Sequence, residues 1–520
     1  MFFLQNTLLI KDLSKQLEMI KVAIPFFYKY IHTNAMKNIF LILLLLFFYQ
    51  ISFGQKKSIQ LNDAIHIAQS NSPEYQTLSN STQAGYWRYK NYIASFLPGL
   101  NLNLSPQFAN SVNRITNDLG EDIFVRQNQS IIDAGLSLRQ QIPYTGGIFS
   151  VNTQLQRIDR FDTDITSYSV VPFSLQYFQN SLFYNSFKWD RKIEPLLYEE
   201  SKRDFIEQMQ DISITTCQRY FDLLKAQKQL EIANRNLYNQ DTLLQIAKGR
   251  FKIGKIAEND LLQIELQHLI SQNSVTTNTI NLKRASQNLA RFLNLNTEEI
   301  ELSIPKQLKP FNLSIEKALE EAYDNRKSII EFRRRRLQME KELAEAKGDN
   351  RVRLSVNANF GLNGQSENTS TLFQDLNQQQ NVSVNLGIPL FDWGVSKSRI
   401  KIAKADLELT NTNIKQEQQA FEQEIYLHTL NWKSQGDFLA TAKKAQEIAI
   451  KRYEITKRRY VLGKITSTDL NLAQQEKDRA ILSYLNSLEK FWTDYYLLRR
   501  LTLYDFIEDK KIEVKELIFD

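Results

Sequence analysis

The sequence predicts a mainly α-helical protein with a β-segment in a membrane, built from two copies of one structural unit. One phrase of the sequence occurs twice. Two long stretches lack the residues that break helices, and short stretches of alternating apolar and polar residues stand between them. Duplication on this scale indicates two units that stand side by side in one molecule.

The repeated phrase spans residues 249–267 and recurs at residues 458–476, with matching positions shifted by 209. It contains an arginine, an aromatic residue, glycine, lysine, isoleucine, aspartate and leucine in the same order. Upstream, matches between residues 59–100 and 313–354 have a shift of 254. The difference, 254 − 209 = 45, predicts an insertion of about that size in the first unit, between its opening helix and the phrase.

The N-terminus has the order of an export signal. The apolar run Ile39–Tyr49 follows Lys37 and precedes Ser52–Gly54, which offers a cleavage site. This run is shorter than the roughly 20 residues of a membrane-spanning helix. We therefore expect residues 1–54 to be a leader and signal peptide, with Met36 as the true start and residues 1–35 as either an extended leader or a miscalled start codon. An N-terminal membrane anchor is the alternative.

Composition argues against several classes of function. Residues 1–54 hold five lysines and two acids, so their removal lowers the net charge from +7 to +4, and nucleic acid is not an expected partner. The run Arg333–Arg336 lies among glutamates and indicates a solvated helix face. Cys217 is the single cysteine, so there is no disulfide framework, and no cysteine follows the signal to carry a lipid.

Catalytic and metal-binding patterns are missing from the sequence. The histidines stand singly, one in the leader and the others in helical stretches, without a second histidine or a cysteine at ligand spacing. No zinc-protease, serine-hydrolase or phosphate-loop motif occurs. The sequence therefore predicts neither an enzyme nor a bound cofactor or metal.

Two long helices are predicted from apolar residues spaced three and four apart. Val395–Tyr460 contains no proline and Gly436 as its only glycine, and its apolar stripe is that of a coiled coil. At 1.5 Å per residue, such a helix is roughly 100 Å long. Its counterpart in the first unit is expected from about Phe187 to Lys248, with Pro195 tolerated near the start.

Shorter helices open each unit, and return helices close it. The opening helices are expected at about 59–97 and 315–349, with Ser58 and Ser314 as caps. Each return helix is expected to start a few residues after the repeated glycine. The candidate caps of the return helices are Asn259 or Asp260 in the first unit and Thr468 or Asp469 in the second.

Segments of period two indicate strands that face lipid on one side. They lie at 100–104, 134–139, 151–156 and about 168–179 in the first unit, and at 352–359 and 381–389 in the second. So few strands per unit cannot form a stable soluble sheet, but copies from several subunits can close a barrel without edges. The insertion is predicted to be an extra hairpin that turns at Thr145–Gly147, and the polar stretches 110–130 and 361–380 are predicted to be long outer loops.

Aromatic residues cluster where the strands lead into the long helices. They lie between Tyr177 and Trp189 in the first unit and at Phe391 and Trp393 in the second. Rings with a polar edge favour the headgroup level of a bilayer, so we expect an interfacial girdle. Ordinary packing at a junction is the alternative.

Several motifs in register resemble the TolC-type outer-membrane efflux protein family, the outer membrane factors, over nearly the whole chain after the signal. They are Phe96–Pro98 before a strand, Ile388–Gly394 after one, and the two phrases Arg250-Phe251 with Gly254 and Arg459-Tyr460 with Gly463, each followed by an aspartate. The resemblance implies a homotrimer. It implies an outer-membrane β-barrel, usually with four strands per subunit, continued by a long α-helical coiled-coil barrel into the periplasm.

The resemblance also implies a passive exit duct. Its hairpin tips would dock to a periplasmic adaptor, and through it to an inner-membrane transporter, while outer-membrane lipid surrounds the barrel. The tip residues here would be Arg250, Gly254, Lys255, Ile256, Arg459, Gly463, Lys464 and Ile465. Glycine suits both tips because the chain reverses there within a few residues, where φ is expected to be positive.

The same resemblance implies residues that close the periplasmic end. Asp260 and Tyr460 occupy gate positions of the family. The chain departs from the family pattern where an arginine and a constricting aspartate are usual, at Ile465 and Leu472. Closure is therefore expected to rest on apolar contacts, with a ring of Leu472 side chains excluding ions by dewetting. Asp469 or Asn471 lining the narrowing is the alternative.

The predicted boundaries follow the duplication. They are a leader and signal peptide at 1–54, a first repeat at 55–300 with its tip near 254, a second repeat at 301–505 with its tip near 463, and a tail at 506–520. The extra hairpin either enlarges the barrel or projects as an external flap. The expected function is an efflux duct; the alternatives are the outer-membrane component of type I protein secretion, a porin-like protein without pump partners, and a periplasmic coiled-coil scaffold.

Overall fold

The computed structural model describes residues 58–116, 118, 120–296, 299–308, 311–350 and 352–513. The predicted signal peptide and the end of the predicted tail lie outside these residues. The chain divides into two compact units. In the described part of the first unit, the Ile59 N–H donates to the Glu301 carbonyl at 2.9 Å. The second unit, Gln60–Glu298 with Leu302–Asp520, contains every element below.

The elements follow the same order in both halves of the second unit. The first half contains α1 (Leu61–Asn71), α2 (Pro73–Ala94), β1 (Gly99–Thr116), β2 (Asp122–Ile142), β3 (Gly147–Arg160), β4 (Ile165–Gln179), α3 (Ser186–Lys252) and α4 (Glu258–Phe292). The second half contains α5 (Ile315–Asn325), α6 (Lys327–Asp349), β5 (Arg353–Ser366), β6 (Asn377–Gly387), α7 (Val395–Val461) and α8 (Ser467–Thr502), followed by β7 (Tyr504–Asp505) and β8 (Lys510–Lys511). The internal duplication predicted from the sequence is confirmed.

Each opening helix is broken into two, where the sequence predicted one. In the first repeat, Ser72 is extended and its side chain accepts from the Tyr75 N–H, because Pro73 disfavours a helical residue before it and starts a new helix. Ser314 caps α5 as predicted, accepting from the Lys317 N–H at 3.1 Å. The prediction of Ser58 as a cap was wrong, since α1 begins three residues later, at Leu61.

The long helices match their predicted bounds within a few residues. Both α3 and α7 contain 67 residues and are therefore roughly 100 Å long. Pro195 lies within the first turns of α3, where the helix accommodates it. Among the residues that the structure describes, no helix has both the length and the apolarity needed to cross a bilayer.

The helices form a layer whose order differs at its two ends. Toward the sheet, α2 packs on α3, α3 on α6 and α6 on α7; toward the tips, α4 packs on α3, α3 on α8 and α8 on α7. A buried aromatic core lies where α7 and α8 meet, with the rings of Trp432 and Phe491 5.1 Å apart. In the tip half, α4 and α7 are therefore the two edges of the layer.

Within the described residues, β1 to β6 form one antiparallel sheet in chain order. The predicted turn at Thr145–Gly147 is confirmed, and Gly146 has φ +82° there. The predicted outer loops were too long. The pairing of β1 with β2 continues to Thr116 and Asp122, so most of the loop predicted at 110–130 is strand. Between β5 and β6, only residues 367–376 of the loop predicted at 361–380 lie outside the strands, because the polar residues on either side continue the ladder.

Candidate docking tips and periplasmic gate

The two hairpin tips reverse the chain by the same turn. Gly254 has φ +67° and Gly463 has φ +72°, as expected from the sequence. In the first tip the N–H of Lys255 donates to the Arg250 carbonyl at 2.9 Å, and the equivalent bond of the second tip, from Lys464 to the Arg459 carbonyl, is 3.0 Å. These bonds satisfy helix carbonyls that would otherwise lack a partner. A left-handed residue costs about 1 to 2 kcal/mol unless it is glycine, so both glycines are required by the backbone.

The outer side of each tip is open to solvent. A Cβ placed on Gly254 or Gly463 would meet no atom within 4 Å. The neighbouring apolar side chains Ile253 and Leu462 are 70% and 68% exposed. The tips therefore present side chains that a partner can reach.

The return helices begin earlier than predicted, and they begin differently. The N-caps are Ala257 and Thr466, so the predicted caps Asn259 or Asp260 and Thr468 or Asp469 were wrong. Thr466 accepts from the Asp469 N–H at 3.2 Å, and the Asp469 carboxylate accepts from the Thr466 N–H at 3.2 Å. This reciprocal pair is a capping box, with the aspartate in its third helical position and not at the cap. Ala257 has no side-chain oxygen with which to cap α4.

A buried apolar cluster lies directly beneath both tips. We call it the tip cluster; it comprises Leu243, Ala247, Ile264, Tyr453, Tyr460, Leu470 and Ala473. Its members come from all four helices of the tip half, so it holds the two hairpins together. Two predicted docking residues, Ile256 and Ile465, are partly buried against this cluster. They are therefore engaged inside the chain as well as lying at the tips.

Tyr460, a predicted gate residue, belongs to the tip cluster. It is 6% exposed, whereas Phe251, at the equivalent position of the first repeat, is 41% exposed. The Arg250 guanidinium lies 5.7 Å from the Tyr460 ring centroid, and its Nη2 donates to the Val461 carbonyl at 3.3 Å. Burial raises the pKa of Tyr460; Arg250 acts in the opposite sense, and Asp260 adds to the rise. Arg250 thus ties the first hairpin to the end of the second.

The other predicted gate residues lie near the start of the return helices. The Asp469 carboxylate is held by Thr466, and these hydrogen bonds lower the pKa of Asp469. Asp260 is partly exposed and lies close enough to Tyr460 to affect it electrostatically. Leu472 is 50% exposed and lies outside the tip cluster. Within one chain, the structure therefore joins Arg250, Asp260 and Tyr460, and leaves Leu472 available to a surface.

The sequence interpretation missed a buried cation in this region. Lys477 is buried, with its Nζ 4.1 Å from the ring centroid of Tyr453 and 3.1 Å from Asp478. Tyr453 also accepts a hydrogen bond from Asn239 at 3.3 Å. The spacing from Leu470 through Ala473 to Lys477 places the lysine on the apolar stripe of α8, and this was the available signal.

A comparison with protein families gives a match in the second repeat. Residues 350–501, most of the second repeat, match the family model "Outer membrane efflux protein". The match covers 152 of the 520 residues. No curated protein matches the chain at the level of sequence. The matched family consists of outer membrane proteins.

Solved structures share the fold of this chain over 85% or more of its length. A membrane protein from Pseudomonas aeruginosa is 14% identical, with a TM-score of 0.63 over 88% of this chain and 92% of that one. The CmeC outer membrane channel of Campylobacter jejuni is 16% identical, with a TM-score of 0.61 over 85% of each chain. VceC, an outer membrane protein of Vibrio cholerae, is 13% identical, with a TM-score of 0.59 over 87% and 97%. At these identities the likeness concerns the fold.

Proposed function

We propose that this chain is an outer membrane efflux protein that acts as a passive exit duct of a tripartite system. Three copies close one channel, and the hairpin tips dock to a periplasmic adaptor that works with an inner-membrane transporter. The observation that carries the proposal is the pair of equivalent glycine turns, both open to solvent, at the ends of the long hairpins. A channel without periplasmic partners has no use for such hairpins.

The edges of the helical layer support closure into a ring. On α4 the exposed residues Leu262, Leu266 and Leu269 recur at helical spacing, and on α7 Ile448 and Ile455 are exposed one heptad apart. Apolar stripes of this kind are the seams of coiled coils. Because each copy offers two different edges, contact of α4 in one copy with α7 in the next gives a head-to-tail ring.

The edges of the sheet support the same arrangement. Among the described residues, β1 and β6 are the end strands and are hydrogen-bonded to a neighbouring strand on one side only. In lipid, each backbone group left without a partner costs several kcal/mol. Pairing of β1 in one copy with β6 in the next satisfies both edges. It also joins first repeat to second repeat, as in the helical layer.

The tips suit a protein partner with apolar sockets and carboxylates. The exposed Ile253 and Leu462 occupy equivalent positions, and the exposed Lys255 and Lys464 lie two residues further along the chain. Each tip thus offers an apolar side chain beside a cation. A centre of apolar contact with charges at its rim is the usual arrangement of a specific protein interface.

We assign closure of the periplasmic end to the return helices near the tips. Leu472 is exposed on α8, and three copies of it facing one another would exclude ions by dewetting. Asp260 and Asp469 lie on the same turns of their helices in the two repeats. Tyr460 acts indirectly, by holding the two hairpins of one chain in register through the tip cluster.

The proposal is tested by the double variant Ile253→Asp, Leu462→Asp. Both side chains are exposed, so we expect a normal trimer in the outer-membrane fraction, while ethidium accumulates in the host as it does when the gene is deleted. The conservative control Ile253→Leu, Leu462→Ile should export ethidium normally. Normal export by the aspartate variant would overturn the docking role and favour a porin-like protein.

A further inference from the structure

The first repeat contributes twice as many strands to the sheet as the second. Strands β1 to β4 come from the first repeat and β5 and β6 from the second, and they are hydrogen-bonded in chain order. The two strands beyond the family's usual four per subunit are accounted for by the insertion in the first repeat. The position of these two strands in the sheet shows whether they form part of the channel wall or a separate flap.

The inserted strands lie inside the sheet and not at its edge. Strand β2 pairs with β1 on one side and with β3 on the other, the latter from Gln129 with Arg160 to Ile142 with Gly147. Strand β3 pairs in turn with β4 over nearly all of its length. A projecting flap would leave β1 paired with β4 in the wall, but these two strands are separated by the hairpin.

The two faces of the sheet keep their character across all six strands. Directly paired residues of antiparallel strands point to the same face. One row of partners across β1 to β5 is Leu100, Leu138, Val151, Leu175 and Phe360. In β6 the partner of Phe360 is Gln380, and the same face then continues through Val382, Val384 and Leu386. The next row on the opposite face is Asn101, Ser137, Asn152, Ser174, Gly361 and Gln379. The inserted strands therefore continue one apolar face and one polar face without interruption.

The polar face is concave. Every strand contributes a polar side chain to one shared hollow, which Asn103, Asp133, Asn152, Ser174, Asn359 and Gln379 help to line. An apolar convex face and a polar concave face are the outside and the inside of a membrane barrel wall. The lining is dominated by amides and hydroxyls, with Asp133 as its acid.

We infer that all six strands enter the channel wall, so that three copies close a barrel of eighteen strands with a wide lumen lined mainly by neutral polar groups. This rests on the proposed trimeric duct. With strands about 4.8 Å apart and tilted by about 40°, eighteen strands give a backbone diameter of about 36 Å, against about 24 Å for twelve. Two layers of side chains, about 11 Å together, leave a lumen of about 25 Å, against about 13 Å. The channel accordingly admits polar solutes too large for a barrel with four strands per subunit.

Cysteine labelling of adjacent residues distinguishes wall from flap. In outer-membrane vesicles, a membrane-impermeant maleimide should label Ser137→Cys and Asn152→Cys through the lumen. It should leave Leu138→Cys and Val151→Cys, which belong to the apolar row, unlabelled. The native Cys217 is fully buried, and burial raises its thiol pKa, so it stays silent. Equal labelling of all four variants would place the hairpin outside the wall and overturn the inference.

The width is tested on the same variants with maleimides carrying neutral polyethylene glycol chains of graded size, added from outside. Ser137→Cys should react with chains of hydrodynamic diameter up to about 25 Å, and an upper limit near 13 Å would overturn the inference. Deletion of residues 121–161 removes β2 and β3, and should lower the size limit measured at Ser174→Cys. If the deletion variant fails to assemble, the size limit measured at Ser137→Cys in the full chain still tests the width of the lumen. Loss of the trimer in the full chain would instead remove the proposed function, while the labelling pattern would still report the face of each strand.

Discussion

The two tips share a turn but differ in almost everything that supports it. The backbone of both requires a left-handed glycine, at Gly254 and Gly463. The first return helix starts at Ala257 without a side-chain cap, whereas the second starts with a capping box at the equivalent Thr466. Both repeats have therefore kept the glycine that the chain reversal requires. The residues that start the return helix have diverged, because a helix can start with or without a side-chain cap.

The difference extends to the residues before each glycine. The aromatic residue of the second tip is buried in the tip cluster, and that of the first is at the surface. Arg250 of the first tip contacts the second hairpin through Val461 and Tyr460. The first tip thus depends on the second for support. We expect the first tip to be the less protected of the two in hydrogen exchange.

The largest effect should come from the equivalent aromatic residues. Tyr460→Ala leaves a cavity in the tip cluster and should destabilise the tip half by about 3 to 5 kcal/mol. Phe251→Ala, the matched control, removes a side chain that is 41% exposed and should cost less than about 1 kcal/mol. Hydrogen exchange of peptides from α3, α4, α7 and α8 measures both. Equal losses would mean that the two positions are equivalent after all.

The glycines should give the next effect. Gly254→Ala and Gly463→Ala force a left-handed alanine and should each cost about 1 to 2 kcal/mol at their own tip, although no atom obstructs the Cβ. Gly249→Ala is the control, because Gly249 lies in α3 with a helical φ and open space around it. It should be neutral or stabilising. A cost at Gly249 as large as that at Gly254 would show that backbone conformation is not the cause.

Exchanging the caps should reverse the difference in protection. Thr466→Ala removes the capping box and should reduce the protection of the start of α8 by about 1 kcal/mol. Ala257→Thr places a threonine three residues before Asp260 and should stabilise the start of α4 by a similar amount. Hydrogen exchange at the first turns of both helices is the readout. An unchanged α4 in Ala257→Thr would show that the first tip is limited by something other than its missing cap.

Acid should affect the second tip through Asp469. Its pKa is lowered in the folded protein, so the stabilisation is complete above the pKa of the unfolded chain, about 3.9, and is lost as the pH falls through the lower folded value. We expect the amides at the start of α8 to lose protection from hydrogen exchange below about pH 4. This loss should be the smallest of the predicted effects, because the carboxylate is solvated. Asp469→Asn should lack this acid-dependent step. An identical pH profile in the variant would remove Asp469 as its source.

The long helices could be predicted because their apolar residues recur regularly over many turns. The strand ends and helix caps were predicted less accurately, because the residues there fit more than one local structure. The stripe of α7 runs for many turns, so its bounds were predicted almost to the residue. The strands were predicted too short because residues such as Asn113 and Gln127 are polar on either face and hide the alternation, although their side chains hydrogen-bond across the ladder. Asp469 was mistaken for a cap because either partner of a capping box is a good N-terminal residue.

The two glycine turns of the candidate site were predictable in position, but the packing around them was not. The glycine turns follow from the repeated phrase, because only a chain reversal explains glycine at both places. The burial of Tyr460 and the exposure of Phe251 do not follow, since the two residues occupy the same place in the phrase. Their difference arises from which of the four helices covers each ring, and this is a property of the assembled tip half.

Electron cryo-microscopy of the protein extracted from the outer membrane tests the central claim most directly. The account predicts a threefold particle in which one barrel, with six strands from each copy, continues into a tube of long helices that ends in six glycine turns. A particle of one copy, or a tube whose subunits do not meet through α4 and α7, would contradict it.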